Sequence, residues 1–213
     1  LATSETPRHP PANPAQKTIG IVLFEQFETL DVFGPVQMLG HLPDYRIVAV
    51  SQEGQPVTSS QGLTTIVHHA FRDAPQLNVL LVPGGSGTRT EVHNRAMLDF
   101  LLAQSTGAEW VTSVCTGAAL LAKAGVLYGR AATTNKESFD WVTSQSDRVA
   151  WRPRARWVED GRFLTSSGVS AGTDMALALV ARLYSRDTAE ETARRAEYVW
   201  NMDPNDDPFA VGG

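Results

Sequence analysis

The sequence predicts an α/β sandwich, a mostly parallel sheet covered by helices on both faces. Three observations carry that prediction. Ile19–Phe24 and Val79–Val82 are short, nearly unbroken apolar runs, which suit strands buried on both sides. Stretches of helical period alternate with such runs along the chain. Val111-Thr112-Ser113-Val114-Cys115-Thr116-Gly117-Ala118-Ala119 then joins a β-rich run to an Ala/Leu-rich helix through small residues. That is the layout of a nucleophile elbow, a sharp strand-to-helix turn that presents one reactive side chain.

The elements follow in order. Residues 1–16 are rich in Pro, Ala, Ser and Thr and read as a flexible or wrapping arm. The chain starts at Leu1 rather than Met, as a processed or shortened polypeptide does. A single domain is expected over 17–200. Its first strand leads to a helix opened by Thr29-Leu30-Asp31 and running to about His41, with Pro35 in its early turns. Tyr45–Ser51 is the next strand, Gly54–Thr58 a turn, and Gly62–His69 a pair of hairpin strands. After Val79–Val82 and Pro83-Gly84-Gly85-Ser86-Gly87 comes a helix from about Asn94 to Gln104. Trp110–Val114 carries the elbow, and Thr116–Ala124 is its helix. Ala131–Thr133 is a short strand and Lys136–Thr143 a short helix. Arg156–Glu159 and Arg162–Ser166 flank Asp160-Gly161, a hairpin signal. Ala176, Leu179, Val180 and Leu183 share one face of a helix over Ala171–Tyr184. Asp187 with Glu190 resembles a capping box that opens a last helix to about Trp200. Residues 201–213 form an acidic, Pro-rich tail. No internal repeat is visible.

Bulk properties narrow the function. A net charge of −5 without a basic stripe argues against nucleic acid. No apolar run reaches the ~18–20 residues of a membrane span. One cysteine permits no intramolecular disulfide and suits a reducing, cytoplasmic compartment. Arg152, Arg154 and Arg156 alternate as on a solvated sheet face. Asp203, Asn205, Asp206 and Asp207 lack the glycine and terminal Glu of a calcium loop and read as solvated tail. His68 and His69 are neighbours on opposite strand faces, and no HxxxH or CxxC occurs, so no metal is expected.

In parallel α/β sheets ligands bind beyond the carboxyl ends of the strands. Asp31, Gly84-Gly85 and Cys115 all follow strands there. A lone cysteine is often a buried structural residue, but the elbow context favours a nucleophile. The helix opening at Thr116 is expected to lower the thiol pKa and leave the sulfur accessible. Asp31 has two readings, a helix N-cap or a carboxyl group aimed at the sulfur and kept protonated by burial. The Gly84-Gly85 turn is a tight turn or a source of N–H donors for an anion. It lacks the third glycine of a dinucleotide fingerprint. Gly168-Val169-Ser170-Ala171-Gly172 matches a serine elbow, but all five histidines precede residue 94. A catalytic His should follow the serine, so Ser170 reads as a helix N-cap.

Leu30-Asp31-x-x-Gly34-Pro35, Pro83-Gly84-Gly85, Ser113-Val114-Cys115-Thr116-Gly117, Ala132-Thr133-Thr134 and Ser170-Ala171-Gly172-x-Asp174 together resemble the ThiJ/PfpI superfamily over about Lys17 to Phe209. Within it they look most like the isocyanide (isonitrile) hydratase branch. The resemblance implies a flavodoxin-like fold, a homodimer, a small-molecule substrate and no cofactor. It makes Cys115 the nucleophile and Asp31 its carboxylic partner. Thr116 would contribute an N–H and a hydroxyl, and Gly85 a second N–H toward substrate. Asn135 stands where many relatives carry a His, which argues against a Cys–His mechanism. The implied reaction is hydration of an isocyanide to an N-formamide. The alternatives are a glyoxalase-like enzyme acting on α-oxoaldehydes and a redox- or ligand-sensing module built on Cys115.

Overall fold

A computed structural model describes residues 16–210. The arm expected over 1–16 lies outside the described residues except for Gln16, whose side-chain amide donates to the Pro43 carbonyl at 2.9 Å.

The elements run β1 (Lys17–Val22), α1 (Thr29–Leu39), β2 (Tyr45–Ser51), β3 (Val57–Thr58), β4 (Thr64–Thr65), β5 (His69–Ala70), β6 (Val79–Val82), α2 (Thr88–Glu91) and α3 (Arg95–Gly107). They continue β7 (Trp110–Ser113), α4 (Gly117–Lys123), β8 (Ala131–Ala132), α5 (Phe139–Thr143), β9 (Ala150–Trp151), β10 (Trp157–Asp160), β11 (Phe163–Ser166), α6 (Ala171–Leu183) and α7 (Arg186–Arg195). The main sheet has the order β10-β11-β7-β6-β1-β2-β5. All neighbours are parallel except β10 and β11, the hairpin turned by Asp160-Gly161.

Every residue of β6 is buried, which requires cover on both sheet faces. The helices supply it in two packed groups, α1 with α6 and α7, and α3 with α4. This is the flavodoxin-like sandwich. The chain leaves β1 in one direction to β2 and returns on its other side through β6, β7 and β11. The reversal beside β1 is the topological switch point where such sheets open a crevice.

Several local expectations change. Val57–Thr58 is a strand rather than part of a turn, and it pairs with Thr64–Thr65. His69 belongs to β5, which extends the main sheet beside β2 and takes no part in that hairpin. The last helix is capped by Ser185, whose Oγ accepts from the Thr188 amide at 3.1 Å. Asp187 and Glu190 therefore form no capping box, and Glu190 pairs with Arg186 instead. The same helix stops at Arg195 rather than near Trp200. Glu197 adopts φ +51°, and the amides of Glu197 and Tyr198 close back onto the carbonyls of Arg194 and Ala193. That is a Schellman ending carried by a non-glycine residue, which leaves no glycine signal to read.

Two surface readings are also overturned. Arg152 and Arg154 are exposed, but Arg156 is buried against Asp174. Asp207, expected in a solvated tail, is 2% exposed. The tail returns to the domain and its Pro204 carbonyl accepts from the Arg156 and Trp157 amides.

Candidate active site

Cys115 sits one residue beyond Val114, at the end of β7, with φ +56°. A non-glycine residue in this region costs about 1 kcal/mol or more, and it persists because both of its backbone groups are held. The Cys115 amide donates to the Ser167 carbonyl at 3.3 Å, and its carbonyl accepts from Thr134 Oγ1 at 2.8 Å. A Cβ at Gly117 would stand 2.2 Å from the Val82 carbonyl oxygen, so α4 can start this close to β6 only with glycine there.

Asp31 lies inside the first turn of α1, not at its cap, which is Glu28. The helix-cap reading of Asp31 is therefore excluded. Its side chain is fully buried, and Oδ2 accepts from the Gly84 amide at 2.8 Å. Oδ1 is buried with no hydrogen-bond partner among the described residues. Burial pushes this carboxyl well above the usual carboxylate range. The charge of Glu28 adds to the rise, while the Gly84 amide and the Cys115 side chain oppose it.

The sulfur is less accessible than the elbow pattern implies, since Cys115 is 6% exposed. Burial also pushes its thiol up, and an ionised Asp31 would push it further. The Thr116 amide and Asn135 side chain pull it down without overcoming burial. The sequence expectation that the helix N-terminus lowers the thiol pKa is overturned by burial. One turn of helix dipole supplies at most about 1–2 kcal/mol, whereas full burial of a titratable group can shift it by several units. Both partners thus favour their neutral forms.

Thr116 and Gly85 are brought to the same place. The Gly85 amide donates to Thr116 Oγ1 at 3.1 Å, and Thr88 Oγ1 approaches the same oxygen at 3.1 Å. Neither amide of the Gly84-Gly85 turn is thus free, because one holds Asp31 and the other Thr116. The Thr116 hydroxyl has only a long contact of 3.4 Å to the Gly85 carbonyl for its own proton. Gly84 marks where these groups converge. A Cβ there would lie 2.6 Å from the Thr116 amide nitrogen and 2.9 Å from Asp31 Oδ2.

Asn135 and Gly168 complete the surroundings of the sulfur, and neither was a candidate from sequence. Asn135 Oδ1 accepts from the Ser138 amide at 2.8 Å, so the Nδ2 donor end faces Cys115. A Cβ at Gly168 would lie 2.5 Å from that Nδ2 and 2.8 Å from the sulfur. Gly168→Ala is therefore expected to drive the amide off the sulfur and lower turnover by roughly 10–10²-fold. Steady-state rates on the folded variant check this, and unchanged turnover would mean that the space beside the sulfur is not used. The signal for Asn135 was present as the departure from His. Gly168 was hidden inside the serine-like motif. Ser170 does occupy the N-cap position of α6, but its side chain makes no capping bond.

Among the described residues no group of three or more His, Cys, Asp and Glu side chains is placed to hold a metal. None of their helices is long and apolar enough to cross a membrane. A surface groove of about 1070 Å³, lined in part by Arg152, Trp157, Arg182 and Trp200, includes none of the residues around Cys115.

Comparison with known proteins identifies the family and the fold. The DJ-1/PfpI family model matches residues 17–182. The chain is 39% identical over 181 residues to an isonitrile hydratase of Pseudomonas putida, covering 85% of this chain and 78% of the relative. It is 31% identical to the transcriptional regulator GbdR of Pseudomonas aeruginosa, covering 87% of this chain and 52% of the regulator. Among solved structures, a ThiJ/PfpI family protein of Pseudomonas syringae superposes with TM-score 0.77 at 30% identity, covering 99% of this chain and 86% of that one. Drosophila melanogaster DJ-1beta shares the fold, with TM-score 0.75 at 19% identity and coverage of 87% of this chain and 100% of that one.

Proposed function

The chain belongs to the DJ-1/PfpI family, and from that premise we propose that it adds water to an isocyanide, giving an N-substituted formamide through a thioimidate on Cys115. The observation that carries this reading is the burial of Asp31 beside Cys115, with Asp31 Oδ1 making no hydrogen bond among the described residues. Among the described residues it supplies one nucleophile and one proton carrier, and no other titratable side chain acting on the sulfur is as deeply buried. The 39% identity to an isonitrile hydratase supports the same reading.

The bonds balance when the reaction starts from the singly ionised pair, the Cys115 thiol beside the Asp31 carboxylate. Asp31 draws the proton from the thiol, and the sulfur forms a bond to the terminal isocyanide carbon. Asp31 then delivers the proton to that carbon, leaving the thioimidate S–CH=N–R and a carboxylate. A water attacks the same carbon. One of its protons passes through Asp31 to the nitrogen, giving S–CH(OH)–NH–R. The C–S bond breaks, the hydroxyl proton returns to Asp31, and the formamide leaves with the pair restored. The high proton affinity that burial gives Asp31 suits it to both halves of this transfer. The Thr116 amide steadies the sulfur as it gains and loses charge. The Thr116 hydroxyl, weakly engaged at the Gly85 carbonyl, is the group free to turn toward substrate nitrogen or water. Gly85 holds that hydroxyl in place.

The glyoxalase-like alternative would draw on an imidazole base beside the cysteine, and Asn135 occupies that neighbourhood. The sensing alternative draws on the likeness to GbdR. Purified protein given cyclohexyl isocyanide, and in parallel methylglyoxal, separates the three. Formamide from the first is expected. Lactate from the second, or isocyanide bound without formamide, would replace the hydratase reading. A second copy of the chain is the expected protein partner, and light scattering on the eluted protein tests for the dimer.

A further inference from the structure

Behind the segment that holds Cys115 lies a buried charge cluster for which the reaction has no use. Lys136 is 7% exposed, and its Nζ donates to Thr133 Oγ1 at 2.8 Å, the Thr134 carbonyl at 3.3 Å and the Ala155 carbonyl at 2.6 Å. Three donors meet three neutral acceptors, so the full set of bonds needs the ammonium form. The charged groups facing it are Arg156, which opposes that charge, and Asp207, which supports it. Arg156 is itself neutralised by Asp174, through Nε and Nη2 at 2.7 Å each. The remaining carboxylate is Asp207. Its Oδ1 lies 3.9 Å from Arg156 Nη1, while its Oδ2 is buried with no hydrogen-bond partner among the described residues. Two buried cations are thus balanced by two buried anions, and one of the anions comes from the tail.

The residues that Lys136 ties down are those that fix the nucleophile. Thr134 Oγ1 holds the Cys115 carbonyl, and Asn135, between Thr134 and Lys136, turns its amide to the sulfur. Apart from the Phe209 amide, which donates to Asp207 Oδ1 at 2.9 Å, the tail is seated by groups other than the Asp207 side chain. Asp174 receives the Asn201 amide at 3.0 Å and the Tyr198 hydroxyl at 2.9 Å, and the Arg154 carbonyl receives the Asp207 amide at 2.9 Å.

We propose that Asp207 of the C-terminal tail is a positioning residue for Cys115, acting through Lys136 to hold Thr134 and Asn135 against the nucleophile. Its contribution to turnover rests on the hydratase reading above, but its effect on the sulfur does not. Burial pushes the Lys136 ammonium down to about 8, so near neutral pH its charge depends on the one carboxylate that supports it. Without Asp207 the ammonium loses its counter-charge, the loop loosens, and Asn135 no longer favours the thiolate. Asp31 and Glu28, the other charged groups that act on the sulfur, belong to a different segment and are left unchanged.

The test is the pH profile of Cys115 alkylation by iodoacetamide, followed by intact mass, which needs no isocyanide. Asp207→Asn is expected to move the midpoint of alkylation up by about one pH unit, a roughly tenfold slower reaction at pH 7. Asp207→Glu, which keeps the charge, is expected to stay near the parent profile. An uncompensated buried charge can prevent folding. The double variant Lys136→Met/Asp207→Asn removes both charges together and is expected to show the same upward shift. Profiles that superpose on the parent for Asp207→Asn or for the double variant, with a lower Tm, would overturn the proposal and leave the tail a merely structural seat. A shifted profile in a protein that hydrates no isocyanide would uphold the positioning role and remove the hydratase reading.

Discussion

Cys115→Ala is expected to leave no measurable isocyanide hydration, and Cys115→Ser nearly none, a loss on the order of 10⁴–10⁶-fold. The alanine variant has no atom to bond the isocyanide carbon. Serine keeps the position but is far harder to ionise than a thiol, and Asp31 is too weak a base to activate it. Both variants should fold, because the left-handed backbone at residue 115 is held by Ser167 and Thr134 through backbone groups that substitution leaves in place. Formamide production by NMR, with melting curves on the same samples, checks both. Residual turnover in a folded alanine variant would sink the covalent route.

Asp31→Asn is expected to fold normally and lose roughly 10²–10⁴-fold in kcat. The amide oxygen can still accept from Gly84, but the NH₂ group cannot take the thiol proton or give one up. Stability offers an independent readout, because the Asp31 carboxyl is raised above its ordinary value of 3.8 in the folded protein. Between that value and its folded value the native state binds this proton more tightly than the unfolded chain. Its contribution to stability is therefore present at low pH and lost as pH rises through the folded value. At pH 8 the parent protein buries a group that resists its ionised form, and asparagine carries no such burden. The Asn variant should melt no lower than the parent at pH 8, and the comparison should swing toward the parent as pH falls. A fully active Asn variant would leave Cys115 without its proton carrier. Asp31→Glu probes distance, because one added methylene displaces the acid in a site where ~1 Å matters.

The sequence made the scaffold legible where one-dimensional pattern and three-dimensional burial coincide. Val79–Val82 reads as buried on both faces because nothing in it is polar, and β6 is the central strand it announces. Asp31 was legible because it follows an apolar strand, and Cys115 because a β-rich run leads through small residues into a helix. The state of the sulfur was not legible. The pattern reveals the helix that follows Cys115, but not the packing that takes water away from it, and burial dominates. Gly85 was read as a donor toward substrate. Its amide is spent on Thr116, a pairing between residues 31 apart that no local pattern encodes. Arg156 and Asp207 were misread for one reason. Charged residues on alternating or acidic stretches belong in water by local rules, and only the fold brings each a buried counter-charge.

The clamp on Cys115 has a consequence for the newly made chain. Its amide is received by Ser167, which is made 52 residues later, and β7 is flanked on one side by β11. Long-range parallel pairing is slow to form. Until the strand after Asp160-Gly161 has been synthesised and docked, the chain therefore carries a cysteine with neither its bent backbone nor its shelter from solvent. Such a cysteine behaves as an ordinary exposed thiol, open to any passing electrophile. A nascent chain that ends before Ser167 lacks the acceptor for the Cys115 amide, and its thiol is expected to react less selectively than that of the completed sheet.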